Sequence, residues 1–291
     1  MIPAQYSFTL PHMQLAGQSW GDKQAEPVIA LHGWLDNAAS FNWLAPKLSN
    51  YHIVAPDLAG HGRSDHRPAA TPYYIWDNLA DLLALADQQG FAHFHLLGHS
   101  MGAGIATLLA AIAPDRVRSL VLLDGLAPMT TAAEQAPAQM AQALRQRNRI
   151  GSRHVKHYAS FNDAVVARER SRFPVSRAAA EALVERALSP SSAGWKWHTD
   201  PCLILPSVLR LTEAQVCEFL KLIKVPVLLC LAEQGIATPQ THKLAACIDS
   251  IQVERVPGSH HFHMDEESVE PLTAHILRHL NASASGYSEI N

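Results

Sequence analysis

The chain has 291 residues, 48% of them hydrophobic and 17% charged, with a formal net charge of −3; this balance describes a soluble globular protein with a large core and excludes a disordered chain. No basic block supports nucleic-acid binding, and no apolar run approaches the roughly 20 residues of a membrane span. Cys202, Cys217, Cys230 and Cys247 show no paired short spacing, and residues 1–10 lack a signal-peptide pattern, so the expectation is a cytoplasmic protein with reduced thiols and no zinc framework.

Along the chain, residues 6–10 and 12–20 alternate enough for two antiparallel strands joined at Pro11. Val28 to Leu31 reads as a short buried strand ending at His32-Gly33-Trp34. Helical spacing follows over 38–48, then a second buried strand at 52–55 closed by Pro56-Asp57. The loop Asp57 to Asp65 contains Gly60 and Gly62 but no Gly-Lys-Ser/Thr, so it reads as a structural turn and not a phosphate loop. A helix is expected over 72–89 with Gly90 as its stop, then strands at 94–97 and 119–123, the second ending at Asp124. Between these two strands lies a small-residue helix, 103–113.

From about residue 127 to 224 the strand rhythm stops. Runs at 130–149, 178–188 and 212–220 are helical in character, with Ser176 and Thr212 as N-cap candidates. Arg145, Arg147, Arg149 and Arg153 read as a solvated helix face, and Trp195 and Trp197 as packing residues on a short extended run. Strands then resume at 225–231 and 250–256, separated by a helix at 239–247 and followed by a last helix at 268–280. The expected organisation is therefore a core of residues 1–126 and 225–281, an inserted, mostly helical lid of residues 127–224, and a flexible tail of residues 282–291. Strands alternating with helices imply an α/β fold whose mostly parallel sheet is covered on both faces, with ligands outside the strands' carboxyl ends.

His32-Gly33-Trp34, Ser100 and Asp124 all fall at such ends. Around Ser100 the sequence runs Gly98-His99-Ser100-Met101-Gly102, a Gly-x-Ser-x-Gly pattern between a strand and a helix. Glycines two residues either side of the serine remove Cβ atoms from a crowded turn, and the Met101 N–H at the helix start can face a developing oxyanion. The serine needs a base. His260-His261-Phe262-His263 supplies histidines, and no Glu-x-x-His or Cys pair accompanies them to make a metal site.

These segments, with Asp57-Leu58-Ala59-Gly60-His61-Gly62-Arg63-Ser64 and Val256-Pro257-Gly258-Ser259-His260, resemble the α/β-hydrolase superfamily over most of the chain. Asp124-Gly125-Leu126 and Gly194-Trp195-Lys196-Trp197-His198-Thr199-Asp200-Pro201 are similar to the serine hydrolase-like subgroup. The resemblance implies Ser100 as nucleophile, His260 as base, and the backbone N–H groups of Trp34 and Met101 as oxyanion donors. Trp34 and His99 are expected to line the substrate pocket, and His32 to brace its loop. The catalytic acid usually stands on the loop after the strand at 225–231, yet Gly235 occupies that place here. Asp124 is the favoured substitute and Glu233 the other. The implied activity is hydrolysis of a small carboxylic ester through an acyl-enzyme, needing no metal or organic cofactor. Cleavage of a C–C bond, lactone or thioester at the same site, and a non-catalytic ligand-binding protein, are the alternatives; Ser100 in the nucleophile position disfavours a haloalkane dehalogenase.

Overall fold

Short runs of aliphatic residues, each closed by a turn former, become the strands of one sheet. The computed structural model describes residues 2–69, 71–149 and 157–287. Its eight-stranded sheet contains β1 (Ala4–Thr9), β2 (Gln14–Trp20), β3 (Glu26–Leu31), β4 (Tyr51–Pro56), β5 (Phe94–His99), β6 (Val117–Leu123), β10 (Val227–Gln234) and β11 (Ile251–Ser259). They lie in the order β1-β2-β4-β3-β5-β6-β10-β11. β2 pairs antiparallel with both β1 and β4, and every other pairing is parallel.

Period-2 alternation sends successive side chains to opposite faces. Phe94 and Leu96 of β5, Leu120 and Leu122 of β6, and Leu229 and Leu231 of β10 enter one core. Leu97, Val121, Leu123, Leu228 and Cys230 enter the other. The first face is covered by α1 (Asp77–Gln88), α2 (Met101–Ile112) and α7 (Pro239–Ala245). The second is covered by α8 (Glu266–Tyr287), whose Val269, Leu272, Ile276 and Leu280 form one apolar stripe. Each fully buried aliphatic side chain contributes about 1.5–3 kcal/mol of transfer free energy. Helix α2 is buried from Gly102 to Ala111 and is apolar there apart from Thr107, whose hydroxyl donates to Leu126 O.

Between β6 and β10 the chain forms α3 (Ala136–Arg147), β7 (His157–Tyr158), α4 (Phe161–Glu169), α5 (Arg177–Ala187), β8 (Leu188–Ser191), β9 (Gly194–Trp197) and α6 (Glu213–Lys221). Ser160 and Asp163 form a capping box on α4, Ser176 caps α5, and Thr212 with Gln215 caps α6; each cap is worth about 1 kcal/mol. Two ion pairs, one buried and one partly buried, tie this region to the sheet. Arg186 Nε donates to Asp57 Oδ1 at 2.8 Å, and Arg168 Nη2 to Asp36 Oδ1 at 2.8 Å.

Several expectations need correction. Residues 38–48 form two short 3-10 turns, at Ala38–Phe41 and Ala45–Lys47, and the second carries Pro46 in its first turn. Helix α1 starts at Asp77 instead of Pro72, because Tyr73 is held outside it: its hydroxyl donates to Asp200 Oδ2 at 2.7 Å and accepts from Arg67 N–H at 2.8 Å. The inserted region contains a three-stranded sheet, β7-β9-β8, as well as helices. The last helix continues to Tyr287, through residues expected to fray.

The thiols are not all reduced. Cys217 on α6 and Cys247 just beyond α7 form a disulfide, while Cys202 and Cys230 are buried outside it. A sequence separation of 30 hid this pair, because only the packing of α6 on α7 brings the two together. No described helix is long and apolar enough to cross a membrane.

Candidate active site

The strand–turn–helix at Ser100 sets the geometry of everything else. Ser100 continues the pairing of β5, its N–H donating to Leu123 O at 3.0 Å, and then adopts φ +52° at the entrance to α2. That left-handed conformation is strained for an L-residue and holds only because its surroundings fix it. The flanking glycines are required sterically: a Cβ on Gly98 would lie 2.5 Å from Gly102 O, and one on Gly102 2.1 Å from Leu31 O. The Ser100 hydroxyl does not cap α2. It meets His260 instead, with Oγ 3.0 Å from Nε2.

His260 follows β11, and its Nδ1 lies 2.6 Å from Asp124 Oδ2. Asp124 ends β6 at φ +42° and is buried. Its carboxylate also accepts backbone N–H bonds from Ala232 at 3.2 Å and Ile236 at 3.0 Å. The segment with Gly235 at the usual acid position thus supplies donors to an acid from the neighbouring strand. Gly235 is what makes room, since a Cβ there would stand 2.2 Å from Asp124 Oδ1. Glu233 is exposed. Of the two carboxylates considered, the fold brings Asp124 to His260.

Between Asp124 and Ser100 the imidazole has a defined tautomer. Nδ1–H donates to the carboxylate, leaving the Nε2 lone pair for the serine hydroxyl. The half-buried ring of Phe173, from the loop between α4 and α5, packs on His260 with centroids 4.6 Å apart.

Met101 begins α2, so its N–H is one of the helix-start donors without an intrahelical partner. The opposing loop, His32 to Asp36, is braced as expected by His32. Leu58 N–H donates to His32 Nε2 at 2.9 Å, and the His32 Nδ1–H donates to Gly33 O at 2.8 Å. Burial pushes the His32 pKa down to about 4, keeping this bracing ring neutral. The Trp34 side chain is 51% exposed and its indole N–H donates to Leu203 O at 3.0 Å, so it lies over the inserted region and not in the core.

His99 does not take the place expected for it in a substrate pocket. As the last residue of β5 it has no exposed surface, and its Nε2–H donates to the carbonyl of His260 at 2.8 Å. Burial, reinforced by the neighbouring His263, His260 and His261, holds its pKa well below the usual histidine range. It supports the base from behind. His261 turns away from the serine and donates from Nε2 to Asp36 Oδ2 at 3.0 Å. His263 is fully buried against His99 and Phe41.

Asp36, His99 and His261 have potential ligand atoms within 4.8 Å of one another, and they are the residues best arranged here to hold a metal. A side-chain cation already lies among them, Arg168 standing 2.8 Å from Asp36 and 3.2 Å from His261 Nε2. Elsewhere the structure agrees with the plainer expectations. Trp195 packs on Phe161 and Trp197 on Tyr158. Asp57 anchors its loop by accepting from the backbone N–H groups of Ala38 and Arg63. Arg145 and Arg149 are exposed and Arg147 is half-buried at the end of α3; Arg153 lies outside the described residues. Sequence reasoning missed Asp36, Arg168 and Phe173. The one signal available was the Ser160-x-x-Asp163 box, which marks the start of α4.

Comparison with known proteins gives a consistent picture. A family model described as alpha/beta hydrolase fold matches residues 26–267. A serine hydrolase-like protein of Dictyostelium discoideum is 32% identical over 274 residues, covering 88% of this chain and 76% of that protein. A serine hydrolase-like protein of Danio rerio is 28% identical over 292 residues, covering 94% and 88%. Among solved structures, a hypothetical protein from Pseudomonas aeruginosa PAO1 superposes with a TM-score of 0.91 at 42% identity, covering 96% of this chain and 99% of that one. The thioesterase domain from the curacin biosynthetic pathway has a TM-score of 0.83 at 24% identity, covering 95% and 100%, a likeness of fold alone.

Proposed function

The chain belongs to the α/β-hydrolase fold family and to its serine hydrolase-like subgroup, and from this we propose that it hydrolyses small carboxylic esters through an acyl-enzyme on Ser100. The observation that carries the reading is the continuous relay from Ser100 Oγ through His260 to Asp124, at 3.0 Å and 2.6 Å.

In the proposed reaction Ser100 Oγ attacks the ester carbonyl carbon while His260 Nε2 accepts the hydroxyl proton. The carbonyl oxygen becomes an oxyanion, received by the N–H groups of Met101 and Trp34; donors of this kind are worth about 3–4 kcal/mol each. Collapse of the tetrahedral intermediate breaks the C–O bond to the alcohol, which leaves with the proton from His260. Water then repeats the sequence on the acyl-enzyme, giving its proton to His260 and releasing the acid and free Ser100. Asp124 stays ionised throughout, stabilising the imidazolium and holding its tautomer.

Residues 127–224 act in this reading as the lid, with Phe173 and Trp34 as apolar walls beside the serine. The non-catalytic alternative drew its support from Gly235 in place of an acid, and the Asp124 carboxylate lying against Gly235 removes that support. The Cys217–Cys247 disulfide does not accord with the reduced thiols expected of a cytoplasmic protein. Turnover of p-nitrophenyl acetate tests the function: the wild-type chain is expected to release nitrophenol well above a Ser100→Ala control, and equal rates would refute it.

A further inference from the structure

A second group of buried charges lies behind the relay without touching the reacting atoms. Arg168 on α4 reaches across to the sheet side, where its Nη2 donates to Asp36 Oδ1 at 2.8 Å. Its Nη1 donates to Ser171 Oγ at 2.9 Å and to Phe173 O at 3.1 Å. One guanidinium therefore fixes both Asp36 and the residue whose ring packs on His260. The other oxygen of Asp36 accepts from His261, the residue next to the base. Asp36 also closes the loop that carries Trp34, its N–H donating to Gly33 O at 3.2 Å, with Leu35 held at φ +64° inside the turn. Gly33 fits tightly against this group, for a Cβ there would lie 2.9 Å from His99 Nδ1 and 3.2 Å from Asp36 Oδ2.

We propose that Arg168 and Asp36 are a positioning pair, through which docking of α4 sets the Trp34 loop and the His260 backbone in their working places. The proposal rests on the serine hydrolase reading above. Its physical reason is that a buried carboxylate is tolerated only when paired. Asp36 is 4% exposed, and although burial opposes its charge, His261 and Arg168 hold its carboxyl well below the usual range. Without the guanidinium, Asp36 loses its cation and Phe173 O its donor together, so the partner of His261 and the ring beside His260 are released at once.

The groups facing His261 are Asp36, Arg168, His99, His260 and His263, with Asp265 across a cavity of about 300 Å³. Burial keeps His99 and His263 neutral. Asp36 and Arg168, of opposite sign, are therefore the charged groups in direct contact with it.

The test is a mutant cycle of Arg168→Gln, Asp36→Asn and the double variant, with Arg168→Lys as the charge-retaining control. Each single change is expected to lower kcat roughly tenfold to a hundredfold with KM within about threefold, the range over which supporting residues act. The double variant should be no worse than the poorer single one, and Arg168→Lys, which keeps the charge beside Asp36 but not the second contact to Phe173 O, should recover part of the loss. Additive losses, or a rise in KM at unchanged kcat, would overturn the proposal. A readout independent of turnover is the His261 Nε2–H resonance followed by NMR, the proton shared with Asp36. It should shift and exchange faster in Asp36→Asn and in Arg168→Gln; no change in either also overturns the proposal. If a single variant fails to fold, Arg168→Lys and the charge-neutral double variant carry the same comparison. Absence of Ser100-dependent turnover in the wild-type chain would instead refute the hydrolase reading, while the His261 resonance would still decide whether Arg168 and Asp36 act as a pair.

Discussion

Two histidines adjacent in sequence each face a buried aspartate, and the contrast between them explains the layout of the site. His260 pairs with Asp124 at 2.6 Å and His261 with Asp36 at 3.0 Å. The third partner differs. Beyond His260 stands a hydroxyl, Ser100 Oγ, which has a proton to give. Beyond Asp36 stands the guanidinium of Arg168, which keeps its protons at any relevant pH. The same two residue types thus make a proton relay in one place and a clamp in the other. What surrounds a His–Asp pair decides its chemistry.

The contrast breaks most visibly at the base. His260→Ala should lower ester turnover by roughly four to six orders of magnitude, as loss of a relay member does elsewhere. His261→Gln should cost about tenfold, the scale of a second-layer partner. Steady-state kinetics on one p-nitrophenyl ester series reads both.

Next in size is the acid. Asp124→Asn should lower kcat by about 10⁴, because an amide stabilises the wrong imidazole tautomer. Glu233→Gln, an exposed side chain, should stay within about threefold of wild type, because it touches none of the groups that develop charge. A smaller but sharper probe is Gly235→Ala. Its Cβ would fall 2.2 Å from Asp124 Oδ1, so the carboxylate must shift. Turnover is expected to drop about a hundredfold, since a 1 Å misplacement can cost that much.

Stability carries the last two tests. Burial depresses the pKa of His32 to about 4 and that of His61 to about 3. The unfolded chain therefore binds more protons than the folded one below about pH 6.5, and stability falls as pH falls from there toward 4. His32 alone contributes about 3 kcal/mol to this loss. Denaturant unfolding at pH 7.5 and pH 5 should show the decline, and a flat profile would contradict neutral burial. Reducing Cys217–Cys247 reopens a loop spanned by 30 residues, worth about 3–4 kcal/mol in the chain-entropy model. Thermal melts with and without reductant should differ by several degrees.

The sequence shows the relay's serine and histidine more clearly than its acid. Ser100 is legible because an elbow needs glycines at fixed spacing, and the two core faces follow from period-2 runs such as Leu120 to Leu123. The choice between Asp124 and Glu233 is not local: it depends on how β6 and β10 lie side by side, which only the sheet order settles. His99 is misjudged for a similar reason. Proximity to Ser100 in sequence suggests the pocket, whereas strand alternation sends its ring behind His260. The inserted region is least legible, because Arg168, Arg186 and Phe173 matter through partners about 85–130 residues away. No pattern of a single segment marks such residues, whose burial is decided by charge pairing after the chain has folded.

The division of labour between the two His–Asp pairs is tested most directly by labelling the wild-type, His260→Ala and His261→Gln proteins with a fluorophosphonate and mapping the adduct by mass spectrometry. A single adduct on Ser100 is expected in wild type and in His261→Gln, with none in His260→Ala over the same time. Equal labelling in His260→Ala, or loss of labelling in His261→Gln alone, would contradict the assignment of the relay to His260 and Asp124.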